Sequence, residues 1–293
     1  MKKILRSLAA LCSVALLCVS SIAHAQLEKP FLWELTKGDK TVTLFGSLHV
    51  GKPDFYPVPA VIRARFDEAT TLAIEADITR DETRATCQKL GASDEKLEKL
   101  LSDDEQLEFN RYVQAANINR KAIENRKVWF VNLLLTVAEL QQLGVDFEDS
   151  VDVVVAKQAR ELKKKIVEIE GPKQCTTLAA ADNAEALSGL NRFLSSVREN
   201  KMEKRVEGLL AAYRRGDGEA INKITLEEYG DSAIGKASRR RVFDERHGPM
   251  AEVIDSYFTN KEKHFVVVSV GHMFGENNLL QALEKRGVKV KRL

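Results

Sequence analysis

Hydrophobic positions along this chain change their period more than once. Near the start they fall in short β-prone runs, residues 31–36 and 40–46, the second setting Val42, Leu44 and Phe45 among Thr41 and Thr43. Lys37-Gly38-Asp39 between them has the composition of a hairpin turn. Gly51, Pro53, Pro57 and Pro59 then interrupt any regular element, and a short helix is expected over 58–66. Residues 71–76 predict a third strand that ends in Glu75-Ala76-Asp77. From about residue 93 to 144 the period is helical, with Leu97, Leu100 and Leu101, then Val128, Val131, Leu134, Leu135, Ala138 and Leu140, recurring at helix spacing. Asp149-Ser150 is a cap for a helix carrying Val151, Val154, Val155, Ala159 and Leu162, which Lys163-Lys164-Lys165 closes. Residues 166–170 read as a strand stopped by Gly171-Pro172, and 176–260 as almost continuous helix. The chain closes with a strand at 264–270, a helix at 276–286 ending at the C-cap Gly287, and a strand at 287–292.

Strands thus cluster at both ends of the sequence. The expectation is an α/β fold, with an α+β variant open: a mixed central sheet from the N- and C-terminal parts, covered by helices, with a long helical middle. Residues 1–25 read as a targeting segment, with Lys2, Lys3 and Arg6 before an apolar run and Ala23-His24-Ala25 as a cleavage site. That apolar run is at the short edge of what a spanning helix needs, so no stable membrane insertion is expected after cleavage. The remaining domain, 26–293, would carry helical insertions over about 93–145 and 176–260. Removal of the three basic residues takes the formal charge from +2 to −1, which leaves no net-charge argument for nucleic acid. Cys87 and Cys175 are the cysteines left after export. In an oxidising compartment they are expected to pair, although nothing in the sequence shows that they meet.

The chemistry gathers at strand ends. His49 follows Gly46 just beyond one hydrophobic run, and His272 follows Gly271 just beyond another. Either histidine alone reads first as a loop residue or a satisfied core residue. Two strand–glycine–histidine units, however, place both where open α/β sheets hold their ligands. Glu75 and Glu170 end two further strands. Two imidazoles with one or two carboxylates are a ligand set for a divalent transition metal. A remaining carboxylate would serve as general base.

These residues carry a resemblance. Phe31-Leu32-Trp33-Glu34-Leu35, Leu44-Phe45-Gly46-Ser47-Leu48-His49-Val50-Gly51, Asp54-Phe55-Tyr56-Pro57, Ile169-Glu170 with Gln174, Tyr213-Arg214-Arg215-Gly216-Asp217, Glu245-Arg246-His247 and Val270-Gly271-His272-Met273-Phe274-Gly275 follow in order over the whole domain. Together they resemble the TraB/GumN family, the bacterial relatives of the Tiki proteins. The first Gly-x-x-His unit of that family is intact at Gly46–His49. In the second, Ser269 replaces the leading glycine, and His247 stands where the family has asparagine. The resemblance implies a fold shared with erythromycin esterases and haem-binding ChaN-type proteins, and metal-dependent peptide hydrolysis in the Tiki branch. Carried over by position, it implies His49, Glu75 and His272 as ligands of a divalent ion (Zn, Mn or Co), with Glu75, Glu170 and Arg246 as catalytic or supporting residues. The expected function is an exported, peptidase-like metal hydrolase acting on a peptide or protein. The alternative is a non-catalytic periplasmic protein that holds haem, metal or a peptide in the same pocket.

Overall fold

A computed structural model describes residues 27–293. The targeting segment read over 1–25 lies outside the described residues. The chain opens with a hairpin, β1 (Leu32–Lys37) and β2 (Lys40–Ser47), crosses α1 (Ala60–Glu68) and enters β3 (Thr71–Ile74). Helices α2 (Asp81–Leu90), α3 (Asp103–Ala115), α4 (Val128–Gln142) and α5 (Val151–Glu161) lead to β4 (Lys165–Glu168). Helices α6 (Lys173–Ala179), α7 (Asn183–Arg198), α8 (Lys201–Arg215), α9 (Gly218–Tyr229), α10 (Ala233–Arg239) and α11 (Glu245–Ser256) follow, with one π-helical turn, Arg240–Asp244, between the last two. The chain ends in β5 (His264–Ser269), α12 (Leu279–Glu284) and β6 (Lys289–Arg292).

The six strands form one mixed sheet in the order β4-β3-β5-β2-β1-β6. β4, β3, β5 and β2 run parallel to one another, and β1 pairs antiparallel with both β2 and β6. Burial follows this order. Phe265–Val268 of β5 and all of β3 are buried, as befits central parallel strands covered on both faces, whose sequence is a continuous apolar run rather than an alternating one. The edge strands read Lys-Ile-Val-Glu and Lys-Val-Lys-Arg, and their charges protect exposed ladder edges from pairing with another chain.

Helix starts are set by side chains that satisfy free backbone N–H groups. Ser102 and Glu105 form a capping box on α3, while Ser150, Asp182, Asp217 and Asn278 cap α5, α7, α9 and α12. The mixed sheet built from both ends of the chain is as read from the sequence. Differences lie at boundaries. The strand expected over 166–170 ends at Glu168, so Glu170 lies beyond it. The stretch 93–127 contains 3-10 turns at Leu97–Leu100 and Arg120–Ala122 beside α3. Helix α2 escaped the reading, because its sequence Asp-Glu-Thr-Arg-Ala-Thr-Cys-Gln-Lys-Leu has no apolar stripe. Its Cys87 forms a disulfide with Cys175 of α6, at a Cα–Cα distance of 5.3 Å. Among the described residues no helix is long and apolar enough to cross a membrane.

Candidate active site

The register of the parallel strands decides where the polar side chains emerge. Ser47 pairs with Ser269 across β2 and β5, so the chain leaves both strands at the same level, toward His49 and His272. Ile74 pairs with Val267 across β3 and β5, which brings Glu75 to the same edge. The ladder between β3 and β4 continues past both strands: the N–H groups of Ile169, Glu170 and Gly171 donate to Ile74 and Glu75 carbonyls at 2.8, 2.9 and 2.9 Å. Glu170, Glu75, His272 and His49 are therefore carried by four successive strand ends, on the side where open α/β sheets bind ligands.

Glu75 is the hub. It is 2% exposed. Its Oε1 accepts the Ser269 N–H at 2.6 Å, and its Oε2 accepts from Arg246 Nη2 at 2.7 Å and Gln174 Nε2 at 3.1 Å. His49 Nε2 lies 3.8 Å from Oε1, and His272 Nε2 lies 3.8 Å from Oε2. Burial by itself would raise the Glu75 carboxyl, but His49, Arg246 and the Ser269 N–H outweigh it and lower it below the usual range. Glu75 is held ionised. Arg246 is buried and gives Nε–H to Glu170 Oε1 at 2.9 Å, a second N–H to Glu170 Oε2, and Nη1–H to the Val242 carbonyl at 2.9 Å. Burial opposes its charge, yet the two carboxylates more than compensate and raise it above the ordinary arginine value. Arg246 thus clamps the two glutamates to each other. It starts from α11 directly after the π-helical turn, a local widening that recurs at functional sites.

The far nitrogen of each histidine is also held. Asp152 Oδ2 sits 3.2 Å from His49 Nδ1, while its Oδ1 accepts from Ser47 Oγ at 2.8 Å. Burial pushes His49 down, but Asp152 and Glu75 prevail and raise it to about 9. Its side chain is 44% exposed, so water screens part of that attraction. His272 is different. His247 Nδ1 lies 2.6 Å from the Asn277 carbonyl, which only accepts, so that nitrogen carries the proton. Burial first of all lowers both His247 and His272, so both rings are neutral at pH 7. His247 Nε2 is then a lone pair that accepts from His272 Nδ1 at 3.0 Å. The lone pair left on His272, at Nε2, faces Glu75. A carbonyl two residues beyond Gly275 thus fixes the tautomer of a buried imidazole through a second imidazole.

The structure brings together all five residues singled out from the sequence: His49, Glu75, Glu170, Arg246 and His272. Asp152 was missed, while Gln174 and Ser47 stand among the residues that carry the family resemblance, with no role assigned to them there. Asp152 had a signal, since a carboxylate stands inside the apolar run Val151-Asp152-Val153-Val154-Val155 at a helix start. Its approach depends on Gly51, whose N–H donates to the Asp146 carbonyl at 2.9 Å and where an added Cβ would fall 1.9 Å from the Asp149 carbonyl oxygen. Two departures also find their place. The Ser269 contact to Glu75 is made by backbone, so the leading glycine is not needed for it. His247 supplies the acceptor for His272. Other motif residues are architectural. Tyr213, fully buried between Phe31 and Phe55, donates to the Gly46 carbonyl at 2.8 Å, and Arg214 pairs with Asp54 at 2.7 Å. Among the described residues no three His, Cys, Asp or Glu side chains form a ready-made metal site.

The model of the TraB/PrgY/gumN family matches residues 31–292. The chain is 26% identical to the uncharacterized protein YbaP of Escherichia coli (strain K12) over 46% of this chain and 50% of YbaP, and the Shigella flexneri protein of the same name gives the same values. It is 22% identical to the metalloprotease TIKI1 of Danio rerio over 94% of this chain and 65% of that protein. The chain thus spans half the length of YbaP and just under two thirds of TIKI1. No solved structure matches it at a significant level.

Proposed function

From the premise that this chain belongs to the TraB/PrgY/gumN family, we propose that it is an exported metal-dependent hydrolase acting on peptides or proteins. The working unit in this reading is a single domain over 26–293, released from its targeting segment after Ala25. One observation supports it above the others: two imidazole Nε2 atoms from neighbouring strand ends each face an oxygen of the same ionised glutamate at 3.8 Å. The donor chemistry fits a divalent ion of the Zn, Mn or Co class. His272 offers a neutral imidazole with its lone pair toward Glu75, and each far nitrogen is held by an acceptor, as in metal-ligating histidines. Bonds of about 2.0–2.2 Å from nitrogen and oxygen span such a separation at a wide angle. His49, Glu75 and His272 are the proposed ligands.

Such an ion, when bound, supplies Lewis-acid polarisation of a substrate carbonyl. The chain's own groups do the rest. His49 gives up its Nε2 proton to become a ligand, while Asp152 keeps Nδ1 protonated and the ring oriented. Arg246 and Gln174 keep Glu75 charged and in place. Glu170 neutralises Arg246, so that the clamp does not repel a cation. Both oxygens of Glu170 are engaged by Arg246, which makes it a supporting residue rather than a free base.

The test is metal content by elemental analysis after loading with Zn, Mn or Co, together with cleavage of a peptide library. One ion per chain is expected, lost together with cleavage in His49→Ala and in His272→Ala. The two changes are expected to be non-additive, since either removes the same ion. A parent protein that takes up no ion and cleaves nothing would sink the proposal. Stoichiometric metal without cleavage would favour the non-catalytic binding protein.

A further inference from the structure

A cleft leads from the site into the helical layer. Beside His49 lies a cavity of about 270 Å³ with apolar walls that include Leu48, Val206, Leu210, Phe243 and Val270. It adjoins a second cavity of about 280 Å³ against Trp129, Asn132 and Phe193, and a third of about 1130 Å³ between α7, α8 and α9. Arg205 and Glu228 line all three, and Arg192 lines the latter two, so the cavities form one path.

The charges along it are not balanced. Arg192 donates to Ser188 Oγ at 2.8 Å, and Arg205 reaches Ser196 Oγ at 3.4 Å. Among the described residues neither guanidinium makes an ion pair, whereas Arg241 on the inner wall is bound by Glu185. The carboxylate that faces the two arginines is Glu228. Glu228 is exposed at the cleft, with Arg205 and Arg192 pulling on its charge. Around the outer cavity Glu199 pairs with Lys201, and Lys204 and Glu227 add one charge of each sign, so Arg192 and Arg205 against Glu228 leave one positive charge in excess. Trp129 Nε1 and Asn132 Oδ1 on the same wall have no hydrogen-bond partner in the protein. A guanidinium offers paired N–H groups matched to a carboxylate, and an apolar pocket next to a few placed polar groups is the usual form of a ligand site.

We propose that this cleft binds a carboxylate-bearing peptide, with the carboxylate on Arg192 and Arg205 and a hydrophobic side chain in the apolar stretch beside His49. The carboxylate comes either from a free C-terminus or from an acidic side chain. That the bound peptide is a substrate rests on the hydrolase reading above; the binding itself does not. Binding is measured on the whole chain by tryptophan fluorescence, since Trp129 lines the cleft. The probes are acetylated trileucine as free acid, the same peptide as C-terminal amide, and an amide whose last residue is glutamate.

The free acid or the glutamate peptide, whichever carries the recognised carboxylate, is expected to bind about tenfold or more tightly than the plain amide. Arg205→Gln and Arg192→Gln should each weaken that binding by roughly the same factor, and Arg205→Lys should recover part of it. Circular dichroism identifies any variant that fails to fold, and Arg192, at the outer end, provides an independent substitution. Equal binding of all three probes, no binding of any, or folded arginine variants that bind like the parent would each overturn the proposal. Binding, with no cleavage of these probes or of the peptide library, would leave the cleft standing and remove the hydrolase. Cleavage indifferent to the carboxylate would do the reverse.

Discussion

The glutamate at the centre of the site is held by backbone and side-chain donors whose separate roles can be tested. Ser269 has φ −52° and ψ 132°, a conformation that proline also adopts. Ser269→Pro therefore suits the backbone, but it replaces the N–H that Glu75 Oε1 accepts by a ring carbon that also displaces this oxygen. It should cost at least about 1–3 kcal/mol in urea unfolding, the usual penalty for a buried acceptor left unmet. Ser269→Gly, which retains the N–H, should stay within about 1 kcal/mol, the entropic cost of glycine. A similar loss for both would mean that the hydroxyl rather than the N–H matters. His247 sets the tautomer of His272 through one hydrogen bond. His247→Phe should weaken metal uptake about 10–100-fold, while His247→Asn, which restores an acceptor oxygen, should recover much of it. Titration by calorimetry checks both, and unchanged affinity in His247→Phe would remove this residue from the site.

At the scale of elements, the disulfide ties α2 to α6, and α6 carries Gln174 directly after the turn that follows Glu170. The cross-link closes a loop with a sequence separation of 88, so Cys87→Ser with Cys175→Ser should lower unfolding free energy by about 2–5 kcal/mol. Chemical denaturation, with and without reductant for the parent, gives the measurement. A parent insensitive to reductant would contradict it. Strand β5 begins at His264, buried and stacked on Tyr257 at 4.1 Å between ring centroids. Burial lowers its folded value below 6.5, against the pull of Glu262. Its contribution is therefore complete above the unfolded value, near pH 6.5, and is lost as pH falls toward the lowered folded value. The slope is at most about 1.4 kcal/mol per pH unit for one proton. The loss between pH 6.5 and 5 should be smaller in His264→Phe than in the parent, and an identical loss would clear His264 of this role.

Over the whole molecule, the closing unit of the chain is inserted in the middle of its sheet. β5 bonds to β3 on one side and β2 on the other, and Leu293 N–H donates to the Leu32 carbonyl beside β6. A fragment ending at residue 260 should therefore show no cooperative unfolding transition, because β2 and β3 lose the strand between them and two apolar ladder edges are exposed. A cooperative melt of that fragment would refute this. The sequence by itself determined the elements whose cause is local. The apolar runs of β2, β3 and β5 are too short and too β-branched to be helices, and Ser150 marks a helix start by a side chain that bonds backbone three residues on. It also placed His49, Glu75 and His272 at or just beyond strand ends, since a strand's end is itself a local property, but it kept Glu170 in a strand that stops at Glu168. Helix α2 was illegible because it lies on the surface without an apolar stripe. Which strand ends stand side by side was decided by tertiary structure alone, through the order β4-β3-β5-β2 and its register. So were the partners of the site, Asp152 on His49 and His247 on His272, 103 and 25 residues away in sequence. No local pattern encodes such contacts, because the energy that selects them is the burial of polar groups that must find partners once the sheet has closed.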